Sequence, residues 1–274
     1  MIPKRQYILF MRGIFSMQIH FIRNATLLIV TDSQQILVDP MLGKKGSLPP
    51  LAFLRYPPRR NPLVDLPPGT MDRLTAVTAA LITHFRFGHQ DHLDKPGSHF
   101  LARHQIPTYC NHLDNRSLQR RDIKTVPLHP GREATLGNGR IIAIPTQHGY
   151  GIIGKLMGPG VGYIIELPGE PTLYISGDTV LTPTVRQTLA AYQPDIAVIA
   201  AGSAQLDIGK PILMPIAEML TFLQLAPGKV IATHMEALNH CPTTRQQLQT
   251  AVSQANLSRK LLIPADGETL LGKP

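Results

Sequence analysis

The chain has no tryptophan, and aromatic residues of every kind make up only 5% of its 274 residues. Few aromatics means few platforms on which bases could stack. The net charge of +9 therefore does not by itself indicate a nucleic-acid partner. The basic residues are also scattered, with Lys44-Lys45, Arg59-Arg60 and Arg120-Arg121 as pairs and no continuous stripe. This charge reads first as a soluble basic surface and second as a field that steers an anionic small molecule.

Cysteine is equally scarce. Cys110 and Cys241 lie far apart without a Cys-x-x-Cys spacing, which excludes a disulfide framework and a thiolate metal site of their own. A reducing cytoplasm is the expected location. No run approaches the roughly 18 to 20 unbroken apolar residues of a membrane-spanning helix. The N-terminal stretch is basic and apolar, but Arg12 and Gly13 interrupt it and no small-residue cleavage site follows. Residues 1–16 read as an extension or a misassigned start, ahead of a single domain over 17–274.

With 43% hydrophobic residues, the chain can bury a substantial core. Ile-, Val- and Leu-rich runs bounded by Gly, Pro, Asp or Asn predict strands at 18–22, 26–30, 35–38, 76–83, 140–144, 161–167, 172–176, 195–200, 229–233 and 260–263. The runs 161–167 and 172–176 form a hairpin around Pro168-Gly169-Glu170-Pro171. Helical spacing covers 184–192, 212–225 and 243–255, the last with Pro242 at its start. Residues 42–68, rich in Pro and Gly, predict a surface loop packed on the domain. Strand–helix alternation in both halves permits a pseudo-symmetric sandwich.

Eleven histidines are present, and their placement carries more information than their number. His84, His89, Asp91, His92 and Asp94 follow the apolar run that ends at Thr83. Imidazoles and carboxylates at this density are costly to bury together, and a divalent cation both neutralises and organises them. The plainer alternative is a solvated polar loop. His148, Asp178 and His234 each sit just beyond a predicted strand. Singly each is an ordinary core or loop residue; together they complete enough ligands for two metals. Asp94 suits a role behind the ligands, holding an imidazole.

The order Thr83-His84, then His89-x-Asp91-His92, then His148, Gly177-Asp178 and His234 resembles the ligand order of the metallo-β-lactamase superfamily. The opening Ile22-Arg23-Asn24-Ala25-Thr26 and Val38-Asp39-Pro40 are similar to its UlaG-like branch, the relatives of L-ascorbate-6-phosphate lactonase. The resemblance implies a four-layer αββα sandwich of two mixed β-sheets flanked by helices. It also implies one metal bound by His84, His89 and His148, and a second by Asp91, His92 and His234, with Asp178 bridging. One departure stands out. Four residues, Phe85 to Gly88, separate the first two histidines where the family pattern has one. His84 is then a ligand only if that segment bulges out and returns, for which Gly88 offers backbone freedom.

The expected activity is metal-dependent hydrolysis, in which a metal-bridging hydroxide attacks a small ester- or lactone-type substrate, with an anionic one a candidate. Asp91 would orient the water or return a proton. Zinc is favoured narrowly over manganese or iron. Asn24, Glu236 and His240 are candidate substrate-binding residues, although Asn24 and the neighbouring Asn239 also suit turns. The six glycines of residues 149–163 predict a mobile loop from which Lys155 could meet an anion. The alternatives are a phosphodiesterase of lipid or nucleic-acid type on the same site and a non-catalytic, metal-stabilised binding protein. Diiron redox chemistry ranks last, and homo-oligomerisation is left open.

Overall fold

The computed structural model describes residues 16–85 and 89–270. The expected extension therefore lies outside the described residues except for Ser16, which bonds Glu170. Phe85 is described, but the rest of the stretched segment, residues 86–88, lies outside them as well.

Fourteen strands form among the described residues. The first eight are β1 (Gln18–Arg23), β2 (Thr26–Val30), β3 (Gln35–Val38), β4 (Ala79–Ile82), β5 (Thr108–Asn111), β6 (Thr125–Leu128), β7 (Glu133–Leu136) and β8 (Gly139–Pro145). They are followed by β9 (Val161–Glu166), β10 (Leu173–Ile175), β11 (Ile196–Ala200), β12 (Lys229–Thr233), β13 (Leu261–Leu262) and β14 (Thr269–Leu270). The helices are α1 (Thr70–Arg73), α2 (Lys95–Arg103), α3 (Asn115–Gln119), α4 (Gly151–Leu156), α5 (Pro183–Tyr192), α6 (Ile216–Leu225) and α7 (Arg245–Gln254).

Two seven-stranded sheets result, ordered β14-β1-β2-β3-β4-β5-β6 and β13-β12-β11-β10-β9-β8-β7. Each is antiparallel at one end and parallel at the other, with β3 to β6 and β10 to β13 running parallel. Period-two alternation sorts the apolar residues. Leu27, Ile29, Ile36 and Val38 face Ile141, Tyr163, Ile175 and Val198 between the sheets, while Leu28, Leu37, Ala80 and Ile82 face Leu101 of α2 and Leu118 of α3. On the opposite outer face, Ile164, Tyr174 and Ile199 pack against Leu189 of α5, Phe222 of α6 and Leu248 of α7. The layers are α, β, β, α. Because most of these strands are covered on both faces, their sequences read as continuous apolar runs.

Several boundaries move for physical reasons. The helix expected at 212–225 begins at Ile216, after Pro215 at its N-cap; residues 212–213 before it bend instead. The one expected at 243–255 begins at Arg245, where Thr244 and Gln247 form a reciprocal capping box. The glycine-rich segment expected to be a mobile loop folds in part as α4.

Candidate metal centre

Histidines and carboxylates collect at the C-terminal ends of strands, the place where open α/β sheets bind ligands. His84 lies two residues beyond β4, His148 three beyond β8, Asp178 three beyond β10 and His234 one beyond β12. The two sheets are tied together there. Thr83 accepts from the Val161 amide at 2.8 Å, and the Tyr163 hydroxyl donates to the Ile82 carbonyl. The turn into Asp178 needs a glycine: Gly177 has φ +60°, and a Cβ there would meet the Val161 carbonyl at 2.8 Å. His234 (φ 59°), Asp39 (φ 43°) and Asn24 (φ 54°) also adopt the left-handed conformation. Strain of this kind gathers at functional sites.

The structure brings all seven expected ligands into one buried cluster. Ligand atoms of His84, His89 and His148 lie within 4.8 Å of one another, as do those of Asp91, His92 and His234 and of His84, His92 and Asp178. Asp178 Oδ2 is central, 3.2 Å from His92 Nε2, 3.3 Å from His148 Nε2, 3.5 Å from His234 Nε2 and 4.0 Å from His84 Nε2. Asp91 Oδ2 lies 3.6 Å from His92 Nε2 and 3.5 Å from His234 Nε2.

Each imidazole is held from behind through Nδ1. His92 Nδ1 lies 2.8 Å from Asp39 Oδ2, His148 Nδ1 2.9 Å from the Ile212 carbonyl and His84 Nδ1 3.1 Å from Thr83 Oγ1. His234 Nδ1 meets Cys241 Sγ at 3.5 Å, and His89 bonds the backbone of Met157. A proton on Nδ1 leaves a lone pair on Nε2, so the partners set the tautomer. Nε2 atoms of five imidazoles and two carboxylates face one another here. Against burial, the carboxylates raise His92 and His234 well above the ordinary imidazole value, so the cluster calls for positive charge at its centre. Nε2 of His84 and of His89 is buried without a hydrogen-bond partner among the described residues. The donor set fits divalent cations, and it is all nitrogen and oxygen.

Electrostatics follow the same geometry. Burial pushes the His84 and His148 imidazoles down, His148 to about 4. Burial alone would raise the Asp178 carboxyl, but His234, His92 and His148 hold it well below the carboxylate range. Asp91 is held low against burial by His92 and His234. Both carboxylates are therefore ionised at neutral pH.

Other expectations are redirected. Asp94 does not hold an imidazole; it caps α2 and accepts from the amides of Gly97, Leu42 and Gly43. Asp39, to which no role was assigned from the sequence, does that work for His92. Asn24 is fully buried, donates to the Asp91 carbonyl at 2.8 Å and accepts from the His234 amide at 2.7 Å, bonds that brace two ligands from their backbones. Glu236 pairs with Arg245, which also binds Asp266. His240 lies behind His234, near Cys241. Asn239 fastens the long loop through Asn61, Leu51 and Ala52. Beneath the cluster, a cavity of about 20 Å³ is lined by Asp39, Thr83, His92 and Asp178, room for no more than a water.

Paired sheets with this cluster at their strand ends define a metal-dependent hydrolase of the metallo-β-lactamase fold. Residues 34–235 match the family model for the beta-lactamase superfamily domain, and the chain belongs to that superfamily. It is 31% identical to the UPF0173 protein YddR of Bacillus subtilis, over 92% of this chain and 99% of that one. Among solved structures it is similar to an isothiocyanate hydrolase from Delia radicum gut bacteria, with TM-score 0.84 and 31% identity over 93% of this chain and 98% of that one. A possible metal-dependent hydrolase from Veillonella parvula matches with TM-score 0.85 and 27% identity, over 93% and 99% of the two chains.

Proposed function

We propose that this chain hydrolyses a small electrophilic molecule with two divalent cations. His84, His89 and His148 hold one, Asp91, His92 and His234 the other, and Asp178 stands between them. The observation that carries this reading is the central Asp178 carboxylate, within 4.0 Å of four imidazole Nε2 atoms. Bound cations would supply Lewis acidity and a water acidic enough to act as a nucleophile at neutral pH. The donor set suits zinc, with manganese or iron as the alternatives.

The chain's own residues do the rest. Asp91, ionised and buried, is placed to take a proton from the attacking water and return it to the leaving group. Asp39, Thr83 and Cys241 keep the imidazoles in one tautomer, so that geometry survives turnover.

Two substrate classes share this chemistry, addition of water to an electrophilic carbon beside a heteroatom. Lactones and other esters are supported by the opening-strand resemblance, which is analogy. Isothiocyanates are supported by the 31% identity to a hydrolase of that class. Protein reconstituted with zinc or manganese should be assayed against isothiocyanates, lactones, aryl esters, phosphodiesters and β-lactams. Turnover of an isothiocyanate or an ester that disappears in Asp178→Asn is expected. Silence across the panel from metal-loaded protein would overturn the hydrolase reading in favour of a metal-stabilised binding protein.

A further inference from the structure

Three segments without strands, residues 42–64, 149–160 and 201–215, meet on the outer side of the metal centre. Ile212 gives its carbonyl to His148, the Met157 backbone bonds His89, and Leu48, Ile153 and Ile212 share one apolar cluster with Cys241. The tips of these segments are apolar and face solvent. Leu54 is 89% exposed, Ile208 78%, Ile152 77%, Leu156 67% and Phe53 56%. An exposed apolar patch of this kind marks an interaction surface more often than chance.

The tips are presented on a bonded frame. The Asp207 carboxylate accepts from the amides of Phe53, Leu54 and Arg55, and the Arg55 guanidinium donates to the Gly209 carbonyl. Ile153 packs so tightly on Gly209 that a Cβ there would lie 2.1 Å from Ile153 Cδ1. With Ile153 and Met157 packed inward on that cluster, Ile152 and Leu156, one helical turn apart, are left outward.

Within the three segments the charge is almost all of one sign, with Glu218 of α6 reaching in to accept from the Tyr150 hydroxyl. The three segments carry seven lysines and arginines and a single acid, Asp207, whose carboxylate is occupied by backbone amides. Lys44, Lys45, Arg59, Lys155 and Lys210 are all exposed.

We propose that this face docks on an anionic lipid membrane. The apolar tips enter the boundary between headgroups and acyl chains while the basic side chains meet the headgroups. A second copy of the chain fits less well, because a two-fold contact would set the seven positive charges against themselves. The surface stands whatever reaction the centre catalyses.

Sedimentation of the full, zinc-loaded chain with vesicles tests it. Vesicles of phosphatidylcholine containing about one-third phosphatidylglycerol should bind at least about tenfold more tightly than phosphatidylcholine alone. Raising salt from about 0.1 M to about 0.5 M should weaken binding about tenfold. Leu54→Glu with Ile208→Glu, and separately Lys44→Glu with Lys45→Glu, should each reduce binding about tenfold, with metal content and melting temperature unchanged. Equal affinity for neutral and anionic vesicles, or no binding to either, overturns the proposal. So does binding that survives both variants, which would assign it to the basic residues before the domain. Self-association abolished by the tip variant, without vesicle binding, would give the face to a second copy.

Discussion

Asp39→Asn tests the idea that the metal centre is tuned from behind its ligands. Asp39 is 2% exposed. Its Oδ2 lies 2.8 Å from His92 Nδ1 and accepts from Thr83 Oγ1 at 2.6 Å, while Oδ1 accepts from the Thr83 amide at 2.8 Å. Asparagine has the same shape and tolerates the left-handed φ of 43° found here, so the fold should persist. If the amide oxygen keeps the Thr83 amide, its NH2 faces two donors; if it turns over, that amide bond is lost. Loss of a hydrogen bond to a charged group costs about 1.5 to 3 kcal/mol. That corresponds to roughly 10- to 150-fold in affinity, in line with the 10- to 100-fold typical of such supporting residues. The loss should fall on the cation held with His92, taking zinc content from about two to about one per chain. Chelator competition and elemental analysis read both quantities, with far-UV circular dichroism as the control. Unchanged affinity at both sites would refute the reasoning.

Asp178→Ala removes the carboxylate that four imidazoles face, so metal content and hydrolysis should fall together; elemental analysis showing full occupancy would separate Asp178 from the cations. Arg23 is fully buried, bonds the carbonyls of Val64, Met41 and Gly43, and offers the nearby Asp94 its countercharge. Arg23→Met should therefore cost about 3 to 5 kcal/mol in denaturant unfolding, and a loss under about 1 kcal/mol would contradict it. Burial, with Arg73 adding to it, pushes the His20 imidazole down. A folded value below the unfolded 6.5 means that stability is complete above about pH 6.5 and falls as pH drops below it. His20→Gln should flatten that acid limb relative to the parent chain, and parallel pH profiles would dispose of the assignment.

Much of the fold was legible because burial on both faces leaves an unbroken apolar signature. Strands β2, β3 and β12 match their expected bounds residue for residue. The strands β5 and β6 were not, since Thr108–Asn111 and Thr125–Leu128 are short and mix polar residues with Pro127. Helix α2 was hidden by Pro96 and Gly97. Gly97 is present for a tertiary reason: a Cβ there would lie 1.9 Å from the Pro40 carbonyl. The centre followed the same division. Histidines and aspartates just beyond apolar runs marked the strand ends, but Glu236 and His240, two and six residues past His234, turn to Arg245 and Cys241.

From the sequence, the fold class was legible through the resemblance to the metallo-β-lactamase superfamily, and the strand-end residues that converge were legible in themselves, because strand-ending positions and ligand chemistry are local properties. Which carboxylate supports a ligand was decided only in three dimensions. Asp94 is two residues from His92 yet caps a helix, whereas Asp39, 53 residues away, bonds it. Parallel pairing of β3 with β4 sets Asp39 beside Thr83 and so beneath the imidazole, and that register is a property of the sheet and of no single segment.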